Sequence, residues 1–151
     1  MFIDKGFYYR YGKKIVPMSK SKTVILAYHI VAVSNKNNVD PILTYHVIEQ
    51  ESAFIVNNGS RAGAKSLMQV MPLHFKHCGI SYAYNPFQNT TCGTGILEDA
   101  LKESKGNLTI ALSIYNSGRK DGYLKFAETK KYVATIRAKY EKTKRELGYY
   151  G

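Results

Sequence analysis

Chemistry in this chain centres on Glu51, a carboxyl group that heads a long tract free of acids. It lies in His46-Val47-Ile48-Glu49-Gln50-Glu51-Ser52-Ala53-Phe54, and no Asp or Glu follows it until Glu98. Clusters of glycine, amide, hydroxyl and aromatic residues come after: Gly63 to Pro72, then Tyr115-Asn116-Ser117-Gly118, then Glu128-Thr129-Lys130-Lys131-Tyr132-Val133. One carboxyl group among such neighbours suits acid/base work on a neutral polyhydroxyl substrate, without help from a second carboxylate.

Glu49 competes with Glu51 for that role. Two positions on a helix stand about 200° apart around the axis, so only one of the pair can face the core. Val47 and Ile48 mark the apolar face, which Glu51 adjoins, whereas Glu49 is expected to point to water. A carboxyl group at the edge of an apolar face loses solvation, which raises its pKa and lets it hold a proton near neutrality. That is the condition for a general acid, worth about 10²–10⁴ in rate; a capped or salt-bridged Glu is the alternative. Among the later clusters, Gly63-Ala64 permits close backbone approach to a ligand. Gln69 offers donor and acceptor together. Tyr115 and Tyr132 supply flat apolar faces with polar tips, and Asn116 and Gly118 end a helix in a polar turn. Leu67, Met68 and Met71 would serve equally well in a core.

The elements that must position these residues read as helices. Residues 1–21 form a basic, Tyr-rich arm without clear period, expected to be extended and packed through Phe2, Phe7, Tyr8 and Tyr9. An apolar helix is predicted from about Lys22 to Val33. Asp40-Pro41 is a helix start, with Asp at the N-cap and Pro at the first helical position, and the helix it opens carries Glu51 near its end. A loop over residues 57–64 leads to a short helix predicted from about Ser66 to Lys76. Another loop runs from Cys78 to Asn89, with Asn85-Pro86 as a turn signal. Helices follow from Cys92 to Lys105, from Asn107 to Tyr115, and from Glu128 to Leu147, where Tyr132, Ile136 and Tyr140 form one stripe. Glu98 and Asp99 are expected to face solvent, and residues 148–151 to fray. No stretch alternates convincingly, so residues 22–147 read as one mostly α domain.

Composition bounds the rest. The 151 residues suffice for one real core, and 22 Lys+Arg against 11 Asp+Glu give a formal charge of +11. Such a charge attracts polyanions without choosing among nucleic acid, lipid and wall polymers. Ten of the basic residues fall between Arg119 and Arg145, where a solvated helix face accounts for most of them. Cys78 and Cys92 are too few for a zinc site and too far apart for a redox pair; free thiols and a bridge across their loop both fit. The apolar run from Thr23 to Val33 begins too late for a signal peptide and is too short to span a bilayer.

Taken in order, the four motifs resemble the soluble lytic transglycosylase domain, the goose-lysozyme-like module that cuts peptidoglycan. The likeness runs from about Val24 to Tyr140 and matches the family patterns Glu-Ser, Gly-x-x-Gly-Leu-Met-Gln, Ala-Tyr-Asn-x-Gly and Glu-Thr-x-x-Tyr-Val. It implies a lysozyme-like helical fold with a substrate groove, and Glu51 as the sole catalytic acid/base. It further implies that Ser60 contacts an N-acetyl group, that Gln69 and Met71 line the groove, and that Tyr115 and Asn116 lie beneath the site. Glu128 and Tyr132 fall on the closing motif, whose tyrosine orients the acid or the intermediate. Two departures stand out. Ser66 replaces the usual glycine before Leu-Met-Gln, and Ser113-Ile114 replaces the usual small residues before Tyr-Asn.

Goose-type hydrolases of this fold keep aspartates after the acid, where this chain has none. The implied reaction is therefore closure of a 1,6-anhydro ring on N-acetylmuramic acid, with no metal or cofactor. The implied partner is the glycan strand of peptidoglycan, met by a monomer without a transmembrane segment and not by a nucleic-acid binder. Its setting would be the cell wall or periplasm, reached as a phage virion or lysis component or through a dedicated export machine. A lysozyme-like hydrolase and a non-catalytic wall-binding protein are the alternatives.

Overall fold

Asp40 opens the helix that carries Glu51: its side chain accepts the Ile42 N–H at 2.9 Å, and Pro41 takes the first helical position. In the computed structural model, which describes residues 1–149, the chain gathers into two compact units, residues 1–94 and residues 95 onward. Among the described residues helices predominate, as expected, and no helix is long and apolar enough to cross a membrane.

The first unit begins with a short helix, α1 (Phe2–Lys5), and an antiparallel hairpin, β1 (Tyr8–Tyr11) with β2 (Lys14–Pro17). This corrects the expectation of an extended arm and of a chain without strands. The burial of Phe2 and Phe7 was anticipated; the hairpin was hidden because most of its residues are exposed on both faces, so no apolar alternation marks it. Helix α2 (Lys20–Lys36) buries Leu26, Ala27 and Ile30 and leaves Ile25, Tyr28 and Val31 on its outer face. It packs on α3 (Pro41–Ser52), where the Ser34 hydroxyl meets that of Thr44 at 2.9 Å.

Two consecutive left-handed residues, Ala53 (φ 51°) and Phe54 (φ 64°), stop α3 abruptly. Phe54 is fully buried, its ring packed against Phe2, Phe7 and Tyr45 at centroid distances of 6.5, 6.0 and 4.9 Å. Burial of that aromatic cluster offsets a backbone strain of order 1–3 kcal/mol per residue.

The short helix predicted from Ser66 is absent. Residues 57–71 instead form a looped structure with bridges Gly59–Lys65 and Lys65–Val70, and helical turns appear only at Pro72–His74 and in α4 (Phe75–Cys78). Ser66 (φ 64°) and Gln69 (φ 50°) are both left-handed, which a continuous helix forbids. Helix α5 (Pro86–Glu103) starts six residues earlier than Cys92. The Asn85 side chain accepts the N–H groups of Phe87 and Gln88 at 2.9 and 3.1 Å, so Asn85-Pro86 is the same cap-plus-proline start as Asp40-Pro41.

In the second unit α6 (Leu108–Ser117), α7 (Gly122–Lys125) and α8 (Ala127–Glu146) pack on one another. Asn107 caps α6 by accepting the Ile110 N–H at 3.0 Å, and Gly118 ends it at φ 75°. Helix α8 buries Thr129, Tyr132, Val133 and Ile136, while Tyr140 is half-buried under the Lys144 ammonium, 4.8 Å from its ring centre. Of the tail, Gly148 and Tyr149 sit in a turn, and Tyr150 and Gly151 lie outside the described residues.

Candidate active site

Glu51 sits in the last turn of α3 and is half-buried, next to fully covered Ser52, whose hydroxyl donates to the Ile48 carbonyl at 3.0 Å. Glu49 does not point freely to water. Its side chain is 30% exposed, and its Oε1 lies 3.0 Å from Nδ1 of the buried His46. The sequence pattern missed this contact: Glu49 is engaged by a ring three residues back on its own helix. A His–Glu pair at this spacing was legible in principle, since positions three apart share a helix face.

Beyond Phe54, residues 57–71 form the second part of the site. The Ser60 hydroxyl accepts the Ala64 N–H at 3.0 Å, which holds the turn and leaves the Ser60 O–H as the group that can donate outward. Gln69 is half-buried and donates through Nε2 to the carbonyls of Ser66 and Asn58, at 2.8 and 3.2 Å. The amide therefore ties its own loop together. Met71 is half-buried at the loop's exit, while Leu67 and Met68 are core residues with no exposure. Helix α5 approaches Met68 closely at Gly93, where a Cβ would stand 2.5 Å from the Met68 sulfur.

Asn89, which no sequence motif singled out, braces this loop from α5. It accepts the Met68 N–H at 2.8 Å and donates to the Lys65 carbonyl at 2.8 Å. A disulfide between Cys78 and Cys92, with Cα atoms 5.5 Å apart, joins α4 to the same helix, which decides between the two cysteine alternatives. Ser66, the departure from the glycine usual in the family pattern, is wholly buried, left-handed, and has no hydrogen-bond partner for its hydroxyl among the described residues.

The second unit carries the remaining positions. Asn116 is exposed and its Oδ1 accepts from the Thr129 hydroxyl at 2.7 Å, joining the third motif to the fourth. Asn116 and Glu128 line one cavity of about 610 Å³. Tyr115 is half-buried, and Tyr132 is buried in α8. The other departure, Ser113, has a structural use: its hydroxyl donates to the Arg119 carbonyl at 2.7 Å and accepts the Tyr123 N–H at 3.0 Å, fixing the turn after α6. Glu98 is not turned out to solvent as expected. Its side chain is 17% exposed and lies 3.5 Å from the Lys102 ammonium, in the middle of α5, whereas Asp99 is exposed. No cluster of three or more His, Cys, Asp or Glu suited to a metal occurs among the described residues.

Comparison with known proteins meets this geometry. A transglycosylase from Enterobacteria phage PRD1 is 36% identical over 107 residues, which cover 71% of this chain and 40% of that protein. An inactive mutant of the lytic transglycosylase Slt from Pseudomonas aeruginosa superposes with a TM-score of 0.68 at 24% identity, covering 80% of this chain and 24% of that one. The 70-kDa soluble lytic transglycosylase of Escherichia coli gives 0.69 at 20% identity, with the same coverage. The chain thus spans well under half the length of these proteins, and it shares the fold of the part of the two solved structures that it superposes on. The sequence profile of the transglycosylase SLT domain matches residues 28–136, most of the chain, and the chain belongs to that family.

Proposed function

We propose that this chain is a peptidoglycan lytic transglycosylase that cuts the β-1,4 bond between N-acetylmuramic acid and N-acetylglucosamine. The observation that carries the reading is the half-buried Glu51 at the end of α3, with Glu49 held by His46 and no acid between residues 51 and 98. Most glycosidases use two carboxylates, one as acid and one to activate water or to attack. Residues 52–97 supply none, so the substrate provides the second function.

In this mechanism the protonated Glu51 carboxyl gives its proton to the glycosidic oxygen as the C1–O bond breaks. The N-acetyl carbonyl of the same sugar supports the electron-poor C1, as in substrate-assisted glycosidases. The Glu51 carboxylate then takes the proton from the C6 hydroxyl, and O6 bonds to C1 as the acetamido oxygen leaves. Glu51 ends protonated as it began, and no water is consumed. Tethering of the C6 hydroxyl on the same ring gives it an effective molarity that water does not match. Ser60 is assigned to the N-acetyl group, Gln69 and Met71 to the groove, Tyr115 and Asn116 to the floor, and Glu128 and Tyr132 to orienting the acid or the intermediate. Similarity to a phage transglycosylase supports a phage-borne setting for the enzyme.

Digestion of purified peptidoglycan tests the reading. Muropeptides should end in 1,6-anhydro-N-acetylmuramic acid, about 18 mass units lighter than hydrolysed counterparts because no water is added. Fragments with reducing muramic ends would make the enzyme a lysozyme-like hydrolase.

A further inference from the structure

Strand β1 is fastened along the segment that leaves the Glu51 helix. Tyr8 donates its N–H to the Phe54 carbonyl at 2.9 Å and accepts from the Val56 N–H at 2.8 Å. One step on, the Asn57 side chain takes over the ladder: its Oδ1 accepts the Arg10 N–H and its Nδ2 donates to the Arg10 carbonyl, both at 2.7 Å. The side-chain amide thus substitutes for a peptide unit and fixes the register of β1. Tyr9 and Tyr11, two apart on the strand, then share one face, with rings stacked at 12° and centroids 6.3 Å apart.

Tyr82 and Tyr84 stand opposite, edge to face with centroids 6.1 Å apart, in a loop that is itself pinned. The Gln88 Oε1 accepts the N–H groups of Ser81 and Tyr82 at 3.1 and 3.3 Å, Asn85 caps α5, and the Cys78–Cys92 bridge closes the base. The four rings, with Asn57 and Pro86, line a cleft of about 370 Å³. That lies within the range of small-ligand sites, roughly 300–1,000 Å³. Burial, and then proximity to Tyr11 and Tyr82, hold the Tyr9 phenol above its usual pKa, so its O–H stays a donor.

Both amide oxygens at the cleft, on Asn57 and Asn85, are committed to the backbone, so recognition falls to the rings and phenols. Tyr11 and Tyr82 are 61% and 62% exposed, an arrangement folding alone does not require. A ligand suited to it has a flat face of C–H groups and a rim of hydroxyls, which describes a pyranose ring. We propose that this cleft holds a sugar ring of the glycan strand, beside the loop that carries Ser60 and Gln69. The site rests on the reading of the chain as a wall-glycan enzyme. Tyr9 and Tyr11 precede residue 28, so half of it lies outside the segment that matches the family.

The full chain carrying Glu51→Gln binds without turnover, and calorimetric titration with peptide-free glycan strands and with N-acetylchitopentaose reads the site. Replacing both exposed rings (Tyr11→Ser with Tyr82→Ser) should weaken binding about tenfold, in line with the strength of ring contacts, while the matching Phe pair stays within about threefold of the parent. Thermal unfolding of the Ser pair should match the parent, since both rings are largely solvated. Equal glycan affinity in the Ser pair and the parent overturns the proposal. So does a single-stranded oligonucleotide or a free stem peptide that binds through these rings where the glycans do not. Ring-dependent glycan binding by a protein whose active form releases no anhydro ends would refute the reaction while leaving the cleft standing.

Discussion

The side chain of Asn89 spans two backbone groups of the loop over residues 65–70, accepting from the Met68 N–H and donating to the Lys65 carbonyl, each at 2.8 Å. Gln69 lies next to one of these anchors, so the position of the residue proposed for the groove is set from α5. Asn89→Ala takes the acceptor from the buried Met68 N–H, at about 1–3 kcal/mol, while the Lys65 carbonyl keeps the Val70 N–H at 3.0 Å. Urea unfolding should show a loss of that size, and lysis of wall suspensions should fall more than the folded fraction does. Unchanged stability would mean that the loop holds itself.

Glu51→Gln should keep the fold and lose lysis by at least about 10²–10⁴, the range for a general acid. Glu49→Gln should stay active, because a Gln amide oxygen can still accept from His46. Turbidity loss of cell-wall suspensions compares the two. Substantial lysis by the Glu51 variant would remove the acid from its assigned place.

Ser66 combines a left-handed backbone with a buried hydroxyl that has no partner among the described residues. Strain at such a residue is of order 1–3 kcal/mol, and a buried unpaired hydroxyl adds about as much. Glycine removes both, against about 0.4–1 kcal/mol for the freer unfolded chain. Ser66→Gly should therefore raise Tm, with a net gain of about 1 kcal/mol or more, and Ser66→Ala should fall between the two. A lower Tm for the glycine variant would mean the hydroxyl is serving a purpose in the folded chain.

The Cys78–Cys92 bridge closes a short loop, for which the chain-entropy estimate is about 3 kcal/mol. Denaturant midpoints with and without reductant measure it, and alkylation of protein taken from its working compartment reports the thiols there. Two labelled cysteines in that sample would show that the bridge does not operate in place.

Where capping chemistry stood next to an apolar run, the sequence was easy to read. Asp40-Pro41, Asn107 and Gly118 fell where expected, since a cap is a local hydrogen bond whose partners lie a few residues away. Asn85-Pro86 carried the same signal but reads equally as a turn, because only the burial of residues 89–97 tells the two apart. The hairpin at Tyr8–Pro17 left no mark, as its register comes from Phe54, Val56 and Asn57, more than forty residues on. The loop over residues 65–70 reads as helical from its apolar residues, and Asn89 imposes another path. At the proposed site, motif order singles out Glu51 and the positions around it as candidates, but not the His46–Glu49 pair or the aromatic cleft.

Phe54 bears on where this chain can be shortened. It holds a strained backbone at the exit of the Glu51 helix, and it is held in turn by Phe2, Phe7 and the N–H of Tyr8. A shortened chain beginning at residue 28, where the family match starts, would give up that clamp and expose the ring. The smallest transplantable unit therefore includes α1 and the hairpin, and a fusion that replaces them has to supply another lid for Phe54.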